Sequence, residues 1–284
     1  MKTLHVIVGP TAIGKTAFAI QMAQKLDTEI ISCDSRQFYS ELNIGVARPS
    51  PEELATIPHH FIACRSAKEP YNAFNYGHEA LTLLDTLFQS HDDVVAVGGS
   101  GLYVDALCSG INLLPDPTPE LRESLSNKIA NGGLPELLDD LRRLDPEYYA
   151  VVDHSNPMRI QRALETIYTS GTTYSELIKK PLPKRNFQIE KIGLRTGRDT
   201  LRERIYNRVD SMMQQGLLDE VSSLTHLRHI NTLNTVGYKE LFAYIDGKNS
   251  LEEAVAAIKN NTWHYAKKQI TWLKRYPEIK WIEK

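Results

Sequence analysis

Gly9-Pro10-Thr11-Ala12-Ile13-Gly14-Lys15-Thr16 stands between two runs of opposite character. Before it, TLHVIV (3–8) is apolar and β-branched, which reads as a buried strand. After it, AFAIQMAQKL (17–26) places apolar residues at helical spacing. The octapeptide fits G-x-x-x-x-G-K-[ST], and strand before helix is the context that motif requires. Glycines let successive N–H groups turn inward toward phosphate oxygens. The helix beginning near Lys15 adds the positive end of its dipole. Lys15 supplies a compact cation, and the Thr16 hydroxyl is placed to bind Mg²⁺. Gly9, Pro10, Thr11, Ala12, Ile13, Gly14, Lys15 and Thr16 are therefore expected around a di- or triphosphate, with Mg²⁺ as cofactor.

Further strands are expected at EIISC (29–33), VVAV (94–97) and FQIEKIGL (187–194), with a helix near 81–88 and another from 102. Strand–helix alternation of this kind makes a parallel sheet with crossover helices. The pattern breaks at LPDPTP (114–119), after which 120–178 reads as helices alone, and again at KPLPKR (180–185). More helices are expected at about 199–215, 216–228 and 251–275. The expected fold is α/β. A P-loop parallel-sheet domain covers 1–115 and 186–284, and an all-helical domain is inserted at 116–185.

Composition narrows the classes. With 284 residues, 42% hydrophobic and 24% charged, the chain is globular rather than disordered, collagen-like or coiled-coil. No apolar run approaches the ~18–20 residues that span a bilayer. The opening MKTLHVIVGP turns to Gly and Pro too soon for a signal peptide. Cys33, Cys64 and Cys108 are odd in number and widely spaced, which argues against a disulfide framework or a zinc site and for a reducing compartment. A cytoplasmic monomer without membrane association is the expectation. The net charge of −2 is unevenly spread. Residues 1–116 hold 7 Lys/Arg and 13 Asp/Glu, 117–186 hold 10 and 10, and 187–284 hold 16 and 12. Positive charge gathers toward the C-terminus, as a nucleic-acid surface there would require.

Asp34 follows the second strand. In open α/β sheets the carboxyl ends of strands line the ligand crevice. A carboxylate beside a phosphate site needs a task, such as accepting a proton from an attacking nucleophile; the alternative is a helix N-cap. The VVAV strand ends in Gly-Gly-Ser, without the Asp that metal-holding ATPases and kinases carry there. Asn-Lys-x-Asp and Asp-x-x-Gly sequences are also missing, which argues against a regulatory GTPase. A small-molecule or nucleotide kinase stays open on these residues, as does a non-enzymatic RNA-binding protein.

Several further stretches carry a resemblance: DSRQFY (34–39), IGVARPSPEE (44–53), PHHF (58–61), GGSGLY (98–103), MRIQRALE (158–165), VGYKEL (236–241) and YAKKQITWLKR (265–275). With the phosphate loop they run in order along nearly the whole chain, which resembles the bacterial tRNA dimethylallyltransferase (isopentenyl-tRNA transferase) family. The resemblance implies transfer of a dimethylallyl group from dimethylallyl diphosphate to N6 of the adenosine 3′ to the tRNA anticodon, with diphosphate leaving. It implies that Lys15, Thr16 and Ser100 serve the chemistry, that Asp34 takes the N6 proton, and that Arg204 or Arg208 holds the diphosphate. It places the anticodon stem-loop on Asp34, Ser35, Arg36, Gln37, Ser100 and Arg122, and on Met158, Arg159, Ile160, Gln161 and Arg162. The same surface would include Asn234, Thr235, Val236, Gly237, Tyr238 and Lys239, then Lys267, Lys268, Gln269, Thr271, Trp272 and Lys274. The last stretch interleaves cations with Trp263, His264, Tyr265 and Trp272, a pattern suited to phosphates and stacked bases. Some of these aromatics, Trp272 first, are expected to pack inward instead. Ser100 replaces the family's usual Thr and keeps the hydroxyl. Val46-Ala47-Arg48 and Trp263-His264 depart from the usual pattern. His59-His60 alternate across a strand, cannot readily share a metal ion and read as structural. The full set of stretches favours prenyl transfer over the kinase.

Overall fold

The computed structural model describes all 284 residues. It forms two compact units, Met1–Cys108 with Arg185–Lys284, and Ser109–Lys184.

The larger unit is built on a six-stranded, wholly parallel sheet. Its strands are β1 (Thr3–Val8), β2 (Ile30–Ser32), β3 (His59–His60), β4 (Asp93–Val97), β5 (Gln188–Arg195) and β6 (Lys280–Glu283), in the order β3-β2-β4-β1-β5-β6. The side-chain period of two divides the core. Leu4, Val6, Val8, Ile31, Val94 and Ala96 pack on one face; Ile7, Ile30, Val95, Val97, Ile192 and Leu194 pack on the other. Helices cover both faces, so the central strands read as continuous apolar runs. The register pairs Ile7 with Val97, Val8 with Gly193, and Ser32 with Val97. The carboxyl ends of β1, β2, β4 and β5 therefore open on one edge, where the loops beginning at Gly9, Cys33 and Gly98 lie together.

The helices of this unit are α1 (Lys15–Leu26), α2 (Pro51–Thr56), α3 (Ala73–Ser90), α4 (Gly101–Cys108), α10 (Arg198–Gln214), α11 (Leu217–Ser223), α12 (Tyr238–Ile245) and α13 (Leu251–Leu273). Ser50 and Ser250 start α2 and α13 with reciprocal capping boxes to Glu53 and Glu253. Between α3 and the sheet, Tyr76 is fully buried and donates its hydroxyl to the Ser32 carbonyl at 3.0 Å. Its ring stacks on Phe38, and the centroid distance is 5.3 Å. That satisfies a buried polar group and closes the base of β2.

β6 is the one strand without a counterpart in the sequence reading. KWIE is four residues long and exposed at the sheet edge, too short for a periodic signal. The paired histidines are structural, as read. His60 Nε2 lies 2.5 Å from Glu29, and His59 Nδ1 meets the Ile57 carbonyl at 2.8 Å. All three cysteines are free. Burial pushes the Cys33 thiol up to about 12, which leaves it a poor nucleophile.

The smaller unit contains α5 (Pro119–Ala130), α6 (Leu134–Leu144), α7 (Pro146–Tyr149), α8 (Pro157–Ser170) and α9 (Tyr174–Ile178), with no strand. Prolines occupy the first position of α5, α7 and α8, where their missing N–H has no helical partner to lose. Thr118, Asp145 and Asn156 cap those helices with side-chain oxygens. Leu125, Leu137, Leu141, Ile160, Ala163 and Leu164 form the core. The first boundary of this unit falls after α4 rather than at residue 115. The proline-rich stretch belongs to the helices, because Arg162 donates to the Pro115 carbonyl at 3.2 Å. On the other side Arg185 belongs to the sheet unit, where it donates to the carbonyls of Ala106 and Leu107 at the end of α4.

Asp145 is 1% exposed and accepts three hydrogen bonds: from Tyr148 N at 3.0 Å, Ser175 N at 2.8 Å and Ser175 Oγ at 2.7 Å. Truncation would leave buried donors unpaired. Asp145→Ala should cost roughly 3 kcal/mol of stability, and Asp145→Asn clearly less. Chemical denaturation of the full chain, followed by the midpoint at constant slope, checks this.

Candidate functional site

At the carboxyl edge of the sheet lies a cavity of about 820 Å³, lined entirely by residues of the larger unit. Its floor is the phosphate loop. Gly9 has φ 152°, and a Cβ there would stand 2.8 Å from the Leu194 carbonyl oxygen, so only glycine fits. Ala12 and Gly14 are left-handed, with φ 65° and 92°. Gly14 caps α1 without a side-chain hydrogen bond, so the first-turn N–H groups face the cavity with the helix dipole behind them. Lys15 Nζ donates to the Pro10 carbonyl at 2.8 Å.

The loop is held from outside. Gln269, on α13, accepts from Thr11 N at 2.8 Å and donates to the Gly99 carbonyl at 2.9 Å, which ties the turn after β1 to the turn after β4. Ser100 is buried. Its Oγ accepts from Ser35 N and donates to Ser35 Oγ, both at 3.0 Å, so it fixes the turn after β2.

Asp34 opens that turn. Its Oδ1 accepts from Arg36 N at 3.0 Å, a local turn bond rather than a helix cap; Oδ2 makes no hydrogen bond within the protein. Lys15, Asp34 and Arg208 share the cavity. Burial lowers Lys15 to about 8; the Asp34 charge opposes that shift, and Arg208 adds to it. Burial also lowers Arg208, again opposed by Asp34. The three groups thus form one electrostatic cluster. Arg208 reaches Thr11 Oγ1 at 3.4 Å. It is the arginine of α10 that lines the cavity. Arg204, one turn earlier, does not, because a helical turn of ~5.4 Å carries it past the cavity edge.

Other expected residues divide by burial. Thr11, Ala12, Gly14, Lys15 and Thr16 line the cavity, while Gly9, Pro10 and Ile13 do not. Pro10 has no N–H, and the Ile13 side chain is 1% exposed in the core. Ser35, Arg36, Gln37, Thr235, Val236 and Gly237 line the cavity, with Asn234 and Lys239 exposed beside them. Tyr238 does not face solvent: it is fully buried. Gln269 is 7% exposed and already engaged, so it is a strut rather than a nucleic-acid contact. Lys267, Lys268 and Thr271 are exposed on α13, and Lys274 is exposed at its C-cap. Trp272 packs inward against Gly101, as expected, and Trp263 lies in the core. In the helical unit Arg122, Met158 and Arg159 are exposed. Ile160 and Gln161 are not: Ile160 is core, and Gln161 is 6% exposed, bonded to Ser126 and Glu165. Arg162 is half committed internally, to Pro115 and Glu165. Tyr265 lines the cavity too, a place its helical spacing alone did not reveal.

The chain matches the family described as IPP transferase over residues 37–276. The chain belongs to the IPP transferase family. Among curated members, it is 46% identical over 282 residues to tRNA dimethylallyltransferase 1 of Bacteroides thetaiotaomicron, covering 99% of this chain and 92% of that one. It is 45% identical over 280 residues to tRNA dimethylallyltransferase 1 of Phocaeicola vulgatus, covering 99% and 93%. A crystal structure of the tRNA isopentenylpyrophosphate transferase from Bacillus halodurans superposes with a TM-score of 0.72 at 34% identity, covering 100% of this chain and 90% of that one. The eukaryotic dimethylallyltransferase acting on tRNA shares the fold, with a TM-score of 0.81 at 24% identity.

The placement of the two arginines is testable. Arg208→Ala should weaken binding of inorganic diphosphate by about 10- to 100-fold, the range for loss of a charged hydrogen-bond donor. Arg204→Ala should leave it unchanged. Isothermal calorimetry on both variants decides between them.

Proposed function

We propose that the protein transfers a dimethylallyl group from dimethylallyl diphosphate to N6 of the adenosine adjacent to the 3′ side of a tRNA anticodon, releasing diphosphate. The observation that carries this reading is the cluster of one carboxylate and two cations, Asp34 with Lys15 and Arg208, over a phosphate loop in a single cavity. The allylic C–O bond breaks and its electron pair leaves on the diphosphate. The N6 lone pair forms the new C–N bond, and the N6 proton passes to the Asp34 carboxylate. Lys15, Arg208 and the first-turn N–H groups of α1 stabilise charge growing on the leaving oxygen. These positive groups are fixed in advance by the fold, so no reorganisation is needed as the bond breaks.

Mg²⁺ fits this donor set. No group of three His, Cys, Asp or Glu side chains converges in the chain. The ion would be held by the Thr16 hydroxyl, water and diphosphate oxygens, as Mg²⁺ prefers. Bound there, it would neutralise part of the leaving group's charge. The base must leave its stack to reach a carboxylate inside a cavity. Half-buried Arg36 in the cavity wall and the exposed cations Lys267, Lys268 and Lys274 are suited to the phosphates on either side of it, and Arg122 and Arg159 offer the helical unit's own phosphate contacts.

Incubation with dimethylallyl diphosphate, Mg²⁺ and unmodified tRNA, followed by nucleoside digestion and mass spectrometry, should yield prenylated adenosine. Asp34→Asn should lower kcat by about 10²- to 10⁴-fold, the usual worth of a general base. Phosphate transfer from ATP to an acceptor, with no prenylated product, would instead favour a kinase.

Lys15 gives a second test. Below pH ~8 its amine carries the proton and attracts the anion; above that pH the free enzyme loses it. Affinity for dimethylallyl diphosphate should therefore fall as pH rises through about 8. Binding at pH 9 should take up a proton, visible as buffer-dependent heat in calorimetry. Lys15→Met should bind weakly at all pH values and show no such uptake.

A further inference from the structure

One continuous stretch of the cavity wall is residues 43–48, a segment with no strand or helix of its own. Three side chains hold it. Glu220, half-buried on α11, accepts from Ile44 N through Oε2 at 2.7 Å. Through Oε1 it accepts from Asn43 N at 3.3 Å and Gly45 N at 3.2 Å. The same Oε1 accepts the Tyr238 hydroxyl at 2.5 Å. Three successive backbone N–H groups converging on one anion form a nest, which is a rigid arrangement only while the anion stays. The Tyr238 ring packs against Gly45, where a Cβ would stand 2.5 Å from the ring. Arg48 closes the far end by donating to the carbonyls of Tyr39, Ser40 and Leu42.

The third tie leads to the chemistry. Gln37 Nε2 donates to the carbonyls of Val46 at 3.2 Å and Ala47 at 3.0 Å. Gln37 lies three residues after Asp34, in the same short turn. The clamped wall and the turn bearing the carboxylate are therefore one mechanical piece. The phosphate loop has a tie of its own, Gln269, and meets this piece through the turn after β4, where Ser100 holds Ser35.

We propose that Glu220 is a positioning residue for the acceptor, whose carboxylate fixes the 43–48 wall and, through Gln37, the turn that presents Asp34. The proposal rests on the prenyl-transfer reading, because it assigns the wall to the side that meets the nucleophile. Glu220 touches no reacting atom. Its loss should misplace the acceptor and leave the diphosphate end intact.

The test compares Glu220→Gln, Glu220→Ala and Tyr238→Phe with the wild type, reading kcat, KM for each substrate and amide hydrogen exchange. Gln has one acceptor where Glu has two, so it must turn its amide toward at least one backbone donor. Tyr238→Phe removes a single donor and leaves the nest. A displacement of about 1 Å can cost ~10²-fold in rate. The expected order of kcat loss is therefore Glu220→Ala near 10²-fold, Glu220→Gln smaller and Tyr238→Phe a few-fold. KM for dimethylallyl diphosphate should stay within about two-fold throughout, since binding lost uniformly would appear there. Amides of 43–45 should exchange faster in the Glu220 variants, with 9–16 unchanged. Glu220 variants that keep wild-type kcat despite faster exchange would overturn the proposal. So would a rise in KM for dimethylallyl diphosphate parallel to the fall in kcat, the mark of a general scaffold defect. If Glu220→Ala does not fold, Glu220→Gln and Tyr238→Phe carry the same comparison. A wild type that makes no prenylated adenosine would overturn the parent reading instead, with the clamp itself still judged by exchange at 43–45.

Discussion

A loop that binds an anion with its backbone cannot also satisfy that backbone internally. The N–H groups aimed at the phosphate must stay free, so the loop gains little from its own hydrogen bonds. Its shape has to come from neighbours. Here the Gln269 side-chain amide supplies it, accepting from Thr11 N and donating to the Gly99 carbonyl. Parallel register makes this economical. The carboxyl ends of β1 and β4 lie side by side, so one side chain from α13 spans both turns. Gly99 has no side chain for the same reason, since a Cβ would stand 2.2 Å from the Gln269 nitrogen. Gly9 and Gly98 likewise let backbone approach backbone at the adjacent turns.

The electrostatics follow from that geometry. Once Lys15 and the α1 N-terminus are fixed over the sheet edge, a nearby carboxylate becomes both an asset and a hazard. Asp34 counters the mutual repulsion of Lys15 and Arg208, and it opposes the burial that lowers both. It would also repel a diphosphate were its charge not offset by the two cations. Lys15, Arg36, Arg48 and Arg208 line the cavity with Asp34 and Glu53, so cations outnumber carboxylates around a multiply charged leaving group while one Asp34 oxygen has no protein partner.

Much of this was legible in the chain. β1, β2 and β4 are apolar runs ended by Gly or Cys-Asp, β5 alternates, and the succession of strands and helices specifies a parallel sheet. Glycine positions with a lysine and a threonine at fixed offsets pick out the loop whose Thr11, Ala12, Gly14, Lys15 and Thr16 line the cavity. What could not be read is orientation within a helix whose two faces are both used. On α13 cations and aromatics interleave, and a polar Gln269 looks like part of a binding surface until its two backbone partners are seen. Gln161 and Tyr238 fail for the same reason. Each is a polar residue in a recognisable motif, yet each spends its polarity inside the fold. Arg204 and Arg208 share one helix face, and only the position of α10 relative to the sheet edge separates them. β6 was invisible because an exposed four-residue edge strand has no periodicity to detect.

The two ends of the cavity are supported by different side chains. The floor depends on Gln269 from α13; the wall depends on Glu220 from α11 and Tyr238 from α12. Between them runs only the short turn from Asp34 to Gln37, fixed to β4's turn by Ser100 and to the wall by Gln37. A reaction that joins two unlike substrates benefits from such an arrangement. Leaving-group stabilisation requires a stiff, charged floor, whereas an acceptor that must enter, turn and leave requires a wall that can be ordered separately. Tying both to one strut would force any adjustment for the acceptor to disturb the anion site. Because the supports are independent, substitutions at one end should be additive with those at the other, except at the turn where they meet. The carboxylate stands at that turn, the one place where both geometries have to be right at once.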